Sequence, residues 1–140
     1  MFEQILLTVD GSEHALKAAK LAGDLARAVN AAHLRIVTAY DPIPPYLGEP
    51  NFQHVIDACL RAANDRVDKA RNAAGKVPAE VHTELIAGDP AEVIVNVAVT
   101  RQCSLIVMGS RGLGQLAGLV LGSTSQKVVS HAPCPVLIAR

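Results

Sequence analysis

The chain has 140 residues, half of them apolar and only 19% charged. That length and balance suit one domain, residues 1–140, with a real buried core, and exclude a disordered chain. Thirteen Lys and Arg against 13 Asp and Glu argue against a general polyanion-binding surface, and aromatics at 3% with no Trp leave no base-stacking platform, so nucleic acid is not an expected partner.

The elements alternate along the chain. Ile5 to Val9 is an apolar run broken only by Thr8, the pattern of a parallel strand covered on both faces. Asp10-Gly11-Ser12 turns the chain, Ser12 is a good N-cap, and Ala15, Ala18, Ala19, Ala22, Leu25, Ala26 and Val29 recur at helical spacing. Leu34 to Tyr40 reads as the second strand, and the proline-rich stretch from Asp41 to Pro50 as a loop. Val55, Ile56, Cys59, Leu60, Ala63, Val67 and Ala70 mark a long helix ending near Gly75, and Val81 to Ala87 is a strand of alternating character. Asp89-Pro90-Ala91-Glu92 is a dense helix-start signal: a cap, a proline suited to the first turn and a capping-box glutamate. That helix runs to about Arg101. A strand over Leu105–Met108, a helix over Ser123–His131 and a last strand over Pro135–Ala139 complete the chain. The alternation predicts an α/β domain with a mostly parallel sheet and helices on both faces.

Cys59, Cys103 and Cys134 are far apart and form no Cys-x-x-Cys or Cys/His ligand spacing, so no metal site is expected and a reducing compartment is. No signal peptide is expected from the N-terminal residues, and no apolar stretch approaches the roughly 20 residues of a membrane span. The expectation is a cytoplasmic protein with no membrane partner.

Between the fourth strand and the last helix lie Gly109, Gly112, Gly114, Gly118 and Gly122. A P-loop fails, because no Lys follows a glycine in this segment. A dinucleotide fingerprint matches only weakly at Gly112-Leu-Gly114-Gln-Leu-Ala117. The helix does not start at these glycines, and the acidic residue expected about 20 positions on is missing; no Asp or Glu follows Glu92 at all. A third reading uses both ends of the segment. The amides of Gly122, Ser123 and Thr124 at a helix start can take a phosphate chain, with Ser123 or Ser125 adding a hydroxyl. Gly109 and Gly112 let the backbone approach that ligand, and Arg111 supplies a cation. Each piece has a plain alternative: Ser123 with Gln126 makes a capping box, Gly109 a turn, and Arg111 a solvated loop residue.

Taken in order, Gly109-Ser-Arg-Gly112, nine residues, then Gly122-Ser123 reproduce the pattern G-x2-G-x9-G-[S/T]. On that pattern, on the opening "ILLTVDGSEHA" and on the ending "CPVLIAR", the chain resembles the universal stress protein family over its whole length, in the form of its ATP-binding members. The resemblance implies a three-layer α/β/α fold of the adenine nucleotide alpha hydrolase-like type. Its open five-stranded parallel sheet has the order 3-2-1-4-5, with ATP, with or without Mg2+, at the C-terminal edge. Asp10 would then receive the ribose hydroxyls, Thr8 and Val9 wall the adenine, Ala39 offer backbone groups to its edge, and Met108 pack on the nucleoside. Gly109, Arg111, Gly112, Gly122, Ser123 and Thr124 would hold the phosphates.

Catalysis is harder to place. His14, His33, His54, His82 and His131 share no helical spacing, and there is no P-loop Lys for phosphoryl transfer. An ATP-binding regulatory or stress-response protein with absent or slow hydrolysis is the leading reading. An adenine-nucleotide hydrolase-type enzyme and a scaffold dimer that binds no nucleotide are the alternatives. The last strand is apolar on both faces and lies at an edge in the implied order, so a homodimer through Val136 to Ala139 is expected.

Overall fold

The structure, a computed structural model of the chain, describes residues 1–42, 48, 50–110 and 121–140. The chain order is β1 (Gln4–Thr8), α1 (Glu13–Val29), β2 (His33–Tyr40), α2 (Asn51–Ala74), β3 (Glu80–Ala87), α3 (Pro90–Thr100), β4 (Leu105–Gly109), α4 (Ser123–His131) and β5 (Val136–Ala139). The strands form one parallel sheet in the order β3-β2-β1-β4-β5, the order that the resemblance implies.

The apolar runs become the sheet's centre because both faces are covered. Ile5, Leu6 and Leu7 of β1 and Ile106 and Val107 of β4 are fully buried, each contributing about 1.5–3 kcal/mol relative to exposure. Alternate residues feed two cores. Ile5, Leu7, Leu34, Ile36, Leu105 and Val107 pack under α1 and α2, while Leu6, Val37, Ile106 and Met108 pack under α3 and α4. β3 is an edge strand, which is why its pattern alternates and none of its residues is fully buried.

The caps follow the sequence. The Ser12 side chain accepts from the Ala15 amide at 3.2 Å, and the Asp89 carboxylate from the Glu92 amide at 3.2 Å. α1 ends at Asn30 in the left-handed region, φ 54°, which Asn tolerates better than most residues. α2 starts at Asn51, a turn earlier than its apolar periodicity signals, and ends against Gly75. α1 and α2 cross closely at Gly23, where a Cβ would sit 2.0 Å from the Ala74 carbonyl oxygen. Only a glycine permits that approach.

Candidate functional site

In an open α/β sheet a crevice opens where the strand order reverses, outside the C-terminal ends of the strands. Here that place lies between β1 and β4. A cavity of about 390 Å³ occupies it, within the range of small-molecule sites, about 300–1,000 Å³. Thr8, Val9, Asp10, Ala39, Met108, Gly109, Gly122 and Thr124 all line it. Four parts of the chain, up to 116 positions apart in sequence (8 and 124), therefore meet on one wall through the strand register and the packing of α4. Ser123 is exposed at the first position of α4, between two lining residues, but is not itself on the wall. Arg111 and Gly112 lie outside the described residues.

The floor is held by short polar links. The Asp10 Oδ1 accepts from the Ser12 amide at 2.9 Å, which sets the turn after β1 and leaves its second oxygen for another donor. The Val9 amide donates to the Val37 carbonyl at 3.0 Å, so the β1–β2 ladder reaches the cavity. The Ser125 hydroxyl lies 3.0 Å from the Gly109 carbonyl and 3.1 Å from that of Ser110, and the Gly122 amide donates to Ser110 at 2.7 Å. These bonds pin the start of α4 to the end of β4.

The first turn of α4 differs from the capping box that Ser123 and Gln126 offered. Gly122 is the N-cap, and among the described residues no side chain caps the helix. The Gln126 side-chain Nε2 donates to the Leu121 carbonyl instead, at 3.3 Å. The first intrahelical bond runs from the Gln126 amide to Gly122, so the amides of Ser123, Thr124 and Ser125 precede it and point outward at the positive end of the helix. By contrast, the starts of α1 and α3 are closed by Ser12 and Asp89.

Gly109 lines the cavity, but its missing Cβ serves a neighbour in the protein. A Cβ there would lie 2.8 Å from the carbonyl carbon and the Cβ of His14, and 3.0 Å from the His14 oxygen. The glycine lets the first turn of α1 seat against β4, and His14 Nδ1 then pairs with the Ser110 hydroxyl at 3.0 Å.

Several lining residues escaped the sequence reading. Arg66 of α2 is the one Lys or Arg side chain on the wall among the described residues; it packs over Gly11, whose added Cβ would touch it at 3.4 Å. Ile94 of α3 and Val37 of β2 supply apolar wall, and Asp41 a second carboxylate. Arg66 sits on an ordinary amphipathic helix face, so no local pattern marks it.

A family model described as the universal stress protein family matches residues 1–140. The chain belongs to the universal stress protein family. It is 48% identical over 140 residues to a universal stress protein of Thermus aquaticus, encoded in the 3' region of a QAH/OAS sulfhydrylase, and the match covers all of both chains. Universal stress protein UspA from Lactobacillus plantarum superposes with a TM-score of 0.86 at 29% identity, over 99% of this chain and 98% of that one. A universal stress protein crystallised in complex with cAMP is 34% identical, with a TM-score of 0.66 over 97% of this chain and 94% of that one.

Proposed function

We propose that this chain, as one domain over residues 1–140, is an ATP-binding regulatory member of the universal stress protein family that hydrolyses ATP slowly or not at all. The observation that carries the reading is the uncapped first turn of α4 opening onto the same cavity as Asp10 and Ala39. The residues fit a nucleotide from end to end. The apolar part, Val37, Ala39, Ile94 and Met108, suits a base and its sugar. The free oxygen of Asp10 suits a ribose hydroxyl, and the amides of Ser123, Thr124 and Ser125 suit phosphate oxygens. Arg66 adds charge. Arg111 and Gly112 join the phosphate set through the G-x2-G-x9-G-S spacing. Mg2+, where it accompanies ATP, would be held chiefly by the phosphates. The relative solved with cAMP supports an adenine nucleotide as the ligand class.

The remaining expectations go with this reading. No described helix is long and apolar enough to cross a membrane, and Cys59, Cys103 and Cys134 are free, as suits a reducing cytoplasm. Among the described residues β5 pairs only with β4 and lies at the sheet edge, where a second copy of the same strand would close it.

Calorimetry on Gly122→Val tests the binding reading. Gly122 has φ −75° and ψ 169°, which Val adopts without strain. Gly122 is buried, so circular dichroism checks the variant's fold, and the added bulk is expected to block the amides. ATP affinity falls at least tenfold. Unchanged affinity in the folded variant rejects the phosphate assignment.

A further inference from the structure

His33, at the first position of β2, stands beside β3 in a register that pairs it with Glu80 and places His82 one pleat further on. Side chains two apart on a strand share a face, so all three project from the α3/α4 side of the sheet. His33 Nδ1 lies 3.1 Å from His82 Nε2. The Glu80 Oε2 lies 3.7 Å from the first nitrogen and 4.0 Å from the second. Among the described residues this is the one group of three His, Cys, Asp or Glu whose ligand atoms all lie within 4.8 Å of one another.

We propose that His33, Glu80 and His82 form a site for a borderline divalent cation of the Zn2+ class. The triangle has the right size. The point equidistant from its three corners lies about 2.1 Å from each, and metal–imidazole and metal–carboxylate distances are about 2.0–2.2 Å. Two imidazoles and one carboxylate select Zn2+, Ni2+ or Cu2+ over Mg2+ or Ca2+. The two rings are tilted by 32° with centroids 5.3 Å apart, so the nitrogens converge and the ring faces do not stack.

The surroundings keep the triad available. Glu84, the next acidic residue on this face, is engaged by Arg35 and by Arg101, the latter at 3.6 Å. Neither arginine competes for Glu80. His33 and His82 are about one-third exposed and Glu80 about two-thirds, so the fourth coordination position faces water. Both ends of the triad sit on paired strands, which hold ligand positions better than loops do.

The site is separate from the nucleotide cavity. His33 precedes Ala39 by six strand residues, about 20 Å along β2, and lies at the opposite end of the sheet. A cation there ties the edge strand β3 to β2, and stabilises the fold through binding to the native state. The spacing of Cys and His along the chain hides it, because β2 and β3 are joined only by register.

The full-length protein, treated with a chelator and then titrated with Zn2+ alone, tests the proposal. Calorimetry is expected to show one Zn2+ per chain and a rise in melting temperature. His33→Gln and His82→Gln each weaken binding more than about 100-fold, beyond the loss usual for an outer-shell partner. Glu80→Gln, at an exposed position that does not endanger folding, weakens it also, while His54→Gln leaves it unchanged. Co2+ in place of Zn2+ gives visible ligand-field bands without a thiolate charge-transfer band. Equal Zn2+ affinity in wild type and the folded triad variants overturns the proposal. So does a thiolate band that disappears on blocking the cysteines.

Discussion

Replacing Gly109 by Ala separates two accounts of that glycine. If it exists to admit a ligand, the nucleotide-free protein is indifferent to a methyl group there. The structure says otherwise, because the methyl lands 2.8 Å from two carbon atoms of His14. Carbon pairs prefer about 3.5–4.0 Å, so the first turn of α1 must retreat by roughly half an ångström or more. Overpacking of this kind costs about 1–3 kcal/mol. For a domain of this size that lowers the melting temperature by about 3–12 °C. The retreat also stretches the Ser110–His14 hydrogen bond, 3.0 Å long in the native protein. Differential scanning calorimetry without nucleotide reads the effect. The double variant Gly109→Ala/His14→Ala does not recover, because the clashing His14 carbon and Cβ remain in Ala. A Gly109→Ala protein that melts within about 1 °C of wild type but loses ATP would refute the packing account and restore the ligand account.

Arg66→Ala is expected to weaken ATP about tenfold or more and adenosine little, since a hydrogen bond to a charged group contributes about 1.5–3 kcal/mol; equal losses in calorimetry remove Arg66 from the phosphate end. The Pro135 and Ala139 carbonyls accept from the amides of Ile106 in β4 and Ser110 just after it, so by alternation the Ile138 amide points to the free edge. Ile138→Pro should therefore leave the β4 ladder intact and give a monomer by light scattering, and wild-type protein that is monomeric at micromolar concentration contradicts the dimer. Steady-state ADP release should stay below about 1 per second, the lower end for typical enzymes; sustained faster turnover by rigorously purified protein favours the hydrolase alternative. Burial, with a smaller push from Cys134, raises the Cys103 thiol above its ordinary value. Cys103 should then alkylate slowly at neutral pH in the native protein and quickly in urea, as mass spectrometry can follow; equal rates contradict it.

Much of the fold was legible because its signals are local. The unbroken apolar runs at β1 and β4 mark strands covered on both faces, and Ser12 and Asp89 announce the helices that they cap. The strand order came through the family resemblance, since no local feature of β1 says that β2 and β4 flank it. At the site the same division holds. Asp10, Gly122 and Thr124 were marked by turn chemistry and glycine spacing, and they share one cavity. Arg66 was not, because a cation on an amphipathic helix looks like any solvated residue until α2 packs against the turn at Gly11. Gly109 stands out in the sequence as a place for close ligand approach, and packing adds a second reason for it, since its Cβ would meet α1. His33 and His82 are 49 residues apart, and only the β2–β3 register joins them.

The most direct test of the central claim, that the phosphates of ATP rest on the first turn of α4, is a titration of isotope-labelled protein followed by amide NMR. ATP is predicted to move the amide signals of Ser123, Thr124 and Ser125 together with those near Asp10 and Ala39, while adenosine moves the second group and leaves the first. ATP binding that leaves the three α4 amides unmoved, or no binding at millimolar ATP, contradicts the account.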